Sequence, residues 1–183
     1  MRNTALIVID VQKGFDAPSW GVRNNPDAER NIALLLASWR RSNLPVVHIQ
    51  HCSLEPNSPL RADHQGNAFK DEASPLDGEM VFTKTVNSAF IGTDLEDYLR
   101  THGMISIVVV GLTTDHCVST STRMAGNLGF EVTVVSDATA TFNRCGQDGV
   151  EYSADEIHKV HLASLNGEFC DVQSTQDVLD KLA

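Results

Sequence analysis

Positive charge is in short supply in this sequence. Lys and Arg number 14 against 24 Asp and Glu, a formal net charge of −10 over 183 residues. That balance excludes binding a phosphate backbone or an anionic membrane by overall charge; a local basic patch would be needed, and only Arg40-Arg41 stands out. Long hydrophobic runs are also missing. The run Ala5–Ile9 is too short for a signal peptide's apolar region and far short of the ~18 residues that suggest a membrane span, and no later run approaches that length. Cysteine is sparse. Cys52, Cys117, Cys145 and Cys170 are scattered with no CxxC, so no zinc or disulfide framework is read, and free thiols in a reducing cytoplasm are expected. There is no internal repeat and no low-complexity tract. What remains is ordinary globular composition, 42% hydrophobic and 21% charged, at a length typical of one domain.

Strand and helix signals alternate along the chain. Ala5–Ile9 and Ile105–Val110 are β-branched apolar runs of the kind buried on both faces of a sheet. Pro45–Gln50, Met80–Phe82, Glu131–Ser136 and Phe169–Val172 supply four more strands. Asn25-Pro26 reads as a helix start, with Asn as the cap and Pro at the first position. Ile32, Leu35, Leu36 and Trp39 then fall on one helical face. Thr93 with Glu96 and Ser153 with Glu156 read as capping boxes, opening helices that end near Gly103 and Gly167. Val118, Ser121, Ala125 and Leu128 share a helix face ending at Gly129, and Thr175–Leu182 forms a last helix. Residues 51–79 make a long connection, a kind of segment that is usually functional. Non-alternating strands between helices predict an α/β fold, a parallel sheet covered on both faces, with ligands beyond the carboxyl ends of its strands.

Three reactive side chains follow strands: Asp10 after the first, Lys84 after the third, Cys117 shortly after the fourth. A parallel sheet places all three on one edge. Cys117 falls in a first helical turn that Thr114 or Asp115 can cap, where the helix N-terminus lowers a thiol's pKa. A carboxylate to take the thiol proton, an ammonium to hold the charges and backbone N–H groups for an oxyanion make up an activated nucleophile. Taken singly, each residue has a plainer reading: a turn Asp, a solvated Lys, a buried hydrophobic Cys.

The surrounding residues decide between these readings. Val8-Ile9-Asp10-Val11-Gln12, Lys84 with Asn87-Ser88-Ala89-Phe90, and Gly111-Leu112-Thr113-Thr114-Asp115-His116-Cys117-Val118 resemble the isochorismatase-like cysteine hydrolase family. So do Gly129-Phe130, Val134 to Ala138, and His158 with Leu162-Ala163-Ser164-Leu165. The resemblance runs over nearly the whole chain and implies one such domain across residues 1–183. It implies a three-layer α/β/α fold whose six-stranded parallel sheet has the order 3-2-1-4-5-6. It further implies a catalytic triad of Asp10, Lys84 and Cys117, a cis peptide between Leu112 and Thr113, and an oxyanion hole from the Thr113 and Cys117 N–H groups. The activity implied is hydrolysis of an amide-type C–N bond in a small molecule through a Cys117 thioester, by a homo-oligomer, dimer or tetramer. Two alternatives stand beside it: vinyl-ether hydrolysis with Asp10 as the acid, and a catalytically silent binding subunit.

Phe15, Trp20, Phe90 and Phe142 lie on loops after strands and are the candidate pocket wall. His48 and His51, three apart on a strand, should point to opposite faces. His158 and His161 read as helix packing or a surface pair, and His116 as pointing away from its neighbour Cys117. Nicotinamidases of the family hold a metal with Asp-x-His near the second strand. Here Gln50-His51-Cys52-Ser53 does not match and His64 is distant, so neither a metal nor any other cofactor is expected.

Overall fold

In the computed structural model, residues 3–182 are described. Strand β1 (Thr4–Ile9) leads through two short turns of helix to α1 (Ala28–Arg41), then β2 (Val46–His51), β3 (Met80–Lys84), α2 (Leu95–Thr101) and β4 (Ser106–Leu112). A wide helical turn, Thr114–Val118, precedes α3 (Ser119–Asn127) and β5 (Glu131–Ala140). The two-residue strands β6 (Arg144–Cys145) and β7 (Glu151–Tyr152) form an antiparallel ribbon. The chain ends with α4 (Ala154–Leu165), β8 (Asp171–Gln173) and α5 (Thr175–Asp180). The main sheet runs β3-β2-β1-β4-β5-β8 and is parallel throughout. Without the ribbon this is the expected order 3-2-1-4-5-6.

The apolar strands are explained by two separate cores. Ala5, Ile7 and Ile9 of β1 face the layer of α2, α3 and α4, packing with Leu95, Leu99, Val118 and Leu162. Leu6 and Val8 face α1 and α5, packing with Ile32, Leu35, Leu36, Trp39 and Val178. Burial on both faces keeps β1 apolar from Ala5 to Ile9, which removes the alternation of a half-exposed strand. Burying each such side chain is worth roughly 1.5–3 kcal/mol.

Several local expectations are corrected. Asn25 does not cap α1, which begins at Ala28; its side-chain amide donates to the Ser136 carbonyl at 2.9 Å and the Thr139 carbonyl at 2.7 Å. The Thr93–Glu96 capping box is absent: Thr93 Oγ1 donates to the Ala89 carbonyl, and Glu96 pairs with Arg100. The Ser153–Glu156 box forms, and Ser174–Asp177 makes a second at α5. Strand β5 runs four residues past Ser136, because a bulge returns it to β4. Val134 pairs with Val109, yet Thr139 pairs with Gly111.

Gly111 permits this close passage. Its φ is +122°, and a side chain there would strike the Ile9 carbonyl of β1. Beyond it, the carboxyl ends of β1, β3 and β4 share one edge of the sheet.

Candidate active site

Asp10, Lys84 and Cys117 meet at that edge. Asp10 is the first residue past β1, fully buried, with φ at +52° in the left-handed region that Asp tolerates. Lys84 ends β3 and is 2% exposed. Its Nζ donates to Asp10 Oδ2 at 2.6 Å and Cys117 Sγ at 3.3 Å, and it lies 3.1 Å from His51 Nδ1. Cys117 projects from the wide turn after β4, where the Val118 N–H reaches back five residues to the Thr113 carbonyl. The Leu112–Thr113 peptide is cis. Among the described residues, the Thr113 N–H meets no acceptor.

Neither Thr114 nor Asp115 caps this turn. Thr114 Oγ1 is 2.9 Å from His158 Nδ1, which ties the turn to α4. Asp115 accepts from Thr141 Oγ1 and from Arg144 Nε at 2.7 Å. Burial works against its charge, but those bonds hold its carboxyl at about 2.

The expected low pKa of the nucleophile is overturned. Burial, and then the neighbouring Asp10 charge, push the Cys117 thiol above its ordinary value, outweighing the opposing pull of Lys84. Burial also raises Asp10, again against Lys84. Both shifts favour the proton-bearing forms of Asp10 and Cys117, and they make the Asp10 carboxylate a stronger base than usual. Exposed Cys145 is the more accessible thiol for reagents; Cys52 and Cys170 are also free.

A cavity of about 80 Å³ opens onto the Sγ, lined by Asp10, Phe15, Trp20, His51, Leu60, Asn87, Thr113, His116 and Cys117. Of the four aromatics proposed for the wall, Phe15 and Trp20 line it. Phe142 is buried behind them, 6.2 Å from the Phe15 ring and 5.4 Å from the Trp20 ring. Phe90 is elsewhere, packed on Phe130 in the α2–α4 layer at 5.9 Å. His116 does face the cavity, against expectation, because the wide turn rotates it away from a normal helical course.

Leu60 goes unnamed in the sequence reading, and Asn87 and His51 are named there without a place in the pocket. Leu60 and His51 are held by amide groups. Gln12 accepts from the His51 N–H and donates to the His51 carbonyl, at 2.9 and 3.0 Å. Asn67 Nδ2 donates to the carbonyls of His51 and Leu60, at 2.9 and 2.8 Å. Gly14 and Gly66 let the 10–25 and 51–79 segments touch, since a Cβ on Gly14 would lie 2.8 Å from the Pro59 carbonyl. His48 points to the other face, 2.9 Å from Glu79, as strand alternation requires. Asp10, His51 and Cys117 place an O, an N and an S within 4.8 Å of one another, the one such cluster among the described residues. Lys84 Nζ already contacts all three, and a cation there would have to sit against the ammonium. His64 instead accepts the Gly66 N–H.

The isochorismatase domain model matches residues 4–177. The chain is 47% identical to the isochorismatase family protein YrdC of Bacillus subtilis, over 96% of this chain and 94% of the relative. It superposes with a TM-score of 0.95 on a crystal structure assigned to the isochorismatase hydrolases, from Chromobacterium violaceum, at 47% identity over 98% and 93% of the two chains. It is 27% identical to maleamate amidohydrolase of Pseudomonas putida, over 99% of this chain and 87% of the relative.

Proposed function

The chain belongs to the isochorismatase family of hydrolases, and from that premise we propose that it cleaves an amide-type C–N bond in a small molecule through a Cys117 thioester. The observation that carries this reading is the single ammonium of Lys84 bonded at once to Asp10 Oδ2 and Cys117 Sγ. That contact holds base and nucleophile together in a buried pocket. The amidohydrolase among the relatives supports the same bond class.

In this reading Asp10 takes the Sγ proton as sulfur attacks the amide carbonyl carbon. The carbonyl electrons move to oxygen, which is held by the Thr113 and Cys117 N–H groups. Asp10 returns the proton to nitrogen, the C–N bond breaks, and ammonia or an amine leaves. Water then attacks the thioester carbonyl and gives a proton to Asp10. The C–S bond breaks, the carboxylic acid departs, and Sγ recovers its proton. Lys84 offsets the negative charge as it passes between Asp10 and sulfur. A cavity of about 80 Å³ has the volume of roughly two to three liquid waters, so it takes the reacting head group. The remainder of the substrate extends past half-exposed Trp20 and exposed His116.

The test is a screen of small primary amides and carbamoyl compounds for ammonia release, with Cys117→Ala as the blank. Release by the native enzyme and none by the variant is expected. Equal activity in Cys117→Ala would transfer the chemistry to Asp10 acting as an acid. We also propose a cytoplasmic homo-oligomer, dimer or tetramer. Sedimentation at micromolar concentration should give a multiple of the chain mass, and a monomer would refute it.

A further inference from the structure

The contacts of Lys84 assign a role to His51. An ammonium has three N–H donors and no acceptor, and a buried one needs a partner for each. Lys84 is 2% exposed, and its Nζ has three neighbours at bonding distance: Asp10 Oδ2 at 2.6 Å, His51 Nδ1 at 3.1 Å and Cys117 Sγ at 3.3 Å. Three donors meet three neighbours; with His51 Nδ1 unprotonated each neighbour is an acceptor, leaving no N–H for substrate and none unpaired. Two of the acceptors change charge when a proton moves from sulfur to carboxylate; the third, His51, keeps the same charge throughout.

We propose that His51 is a positioning residue: its unprotonated Nδ1 is the fixed third anchor of the Lys84 ammonium, keeping Nζ midway between Asp10 and Cys117 while charge passes from one to the other. The proposal rests on the reading of Cys117 as the nucleophile. For this role the imidazole must be neutral with its proton on Nε2. Burial, and then the Lys84 charge, lower its pKa to about 4, so it is neutral across the physiological range. The backbone around it is hydrogen-bonded on both sides. The His51 N–H and carbonyl are both bonded to Gln12, the carbonyl also accepts from Asn67, and His51 pairs directly with Lys84 in the β2–β3 register. An anchor of this kind matters most when Asp10 becomes neutral. Without it the ammonium is free to follow the thiolate or to turn toward solvent in the cavity.

Two measurements test this, and they separate the anchor from the chemistry. Imidazole ¹⁵N spectra of the whole protein at neutral pH should show His51 as the Nε2–H tautomer, with its Nδ1 resonance moving in Lys84→Met. An Nδ1–H tautomer, or no response to Lys84→Met, overturns the proposal whether or not the enzyme is a cysteine hydrolase. The second measurement is acylation of Cys117 by p-nitrophenyl acetate, read as peptide mass at Cys117 so that Cys145 does not interfere. His51→Phe keeps bulk and removes the acceptor, and should slow acylation about 10–100-fold. His51→Asn restores an acceptor and should recover most of that loss. A His51→Phe variant as fast as the native protein, or a folded His51→Asn as slow as His51→Phe, overturns the anchor. Absence of Cys117 acylation in the native protein would count against the proposed function, while the tautomer still decides the geometry.

Discussion

Asp10 carries two burdens: it is fully buried, and its neighbours are a cation and the thiol that it deprotonates in the proposed mechanism. Asp10→Asn removes the base and also the second cause of the raised thiol pKa, so Cys117 should ionise more readily in the variant than in the native protein. The leaving nitrogen, however, has no proton donor and water has no base. Amide turnover should fall by about 10²–10⁴-fold, the usual worth of general acid–base catalysis. An activated ester, whose leaving group needs no proton, should still acylate Cys117, and the thioester should accumulate as an intact-mass shift. Normal amide turnover in Asp10→Asn would remove the base role. Strand ends put Asp10, Lys84 and Cys117 on one edge of a parallel sheet, but each alone has a plainer reading, and it is the resemblance of the surrounding residues to the isochorismatase-like family that marks them as a triad. The direction of the thiol pKa was not legible in the sequence, because it depends on burial depth and on a carboxylate far away in sequence. His51 was hidden for a related reason: its partnership with Lys84 exists only once the β2–β3 register is known.

Elements were legible where a pattern is local and illegible where a distant segment competes. The apolar runs of β1 and β4 and the Ser153–Glu156 box have their explanation within a few residues. Asn25 bonds away from the helix end, to the Ser136 and Thr139 carbonyls at the β5 bulge. Thr93 likewise turned back to the Ala89 carbonyl. The bulge itself, with Asp137 accepting from the Thr175 N–H and hydroxyl, left no periodic trace. Gly111 gives the sharpest test at this scale. Its φ of +122° suits glycine, and an added Cβ would meet backbone of β1, which cannot rotate away as a side chain would. Gly111→Ala should therefore force β1 and β4 apart beside Asp10 and the Leu112–Thr113 turn. We expect a loss of more than about 2 kcal/mol, a fall in melting temperature of at least ~4 °C for a chain of this size, or no soluble protein. A melting temperature within a degree of native would show that the strands can separate there without cost.

For the whole molecule the question is what ties the site's outer loops to helix α1, and the answer is charge. Glu29 of α1 accepts from Arg23 at 2.7 Å and from Lys70 at 2.7 Å, and Lys70, 7% exposed, also pairs with Asp16. This network joins the 10–25 segment carrying Phe15 and Trp20, helix α1, and the 51–79 segment carrying Leu60. Burial works against the Glu29 charge, but the two cations hold its pKa to about 2, from 4.5. Glu79, bonded to Arg40, His48 and the Leu76 N–H, is likewise held to about 2 against burial, as is Asp115. A carboxyl whose pKa is lower folded than unfolded adds stability that is complete above the unfolded value and lost as pH falls toward the folded one. For Glu29 and Glu79 the window runs from about 4.5 to about 2, and for Asp115 from 3.8 to about 2. His51 acts with the same sign at a higher pH, since its fall from 6.5 to about 4 makes the unfolded chain the better proton acceptor between those values. Stability should thus begin to decline below about pH 6.5 and fall faster below about 4.5, with Asp10, raised by burial, contributing in the opposite sense. Glu29→Gln isolates one contribution. At pH 7 it leaves Lys70 and Arg23 without their shared carboxylate, and should melt several degrees below native, at ~2–4 °C per kcal/mol. As the native Glu29 protonates on going from pH 4.5 toward 2, the two proteins become alike and the gap should close. Parallel melting curves at matched pH values measure it, and a gap that stays constant down to pH 2 would mean that the Glu29 charge holds nothing together.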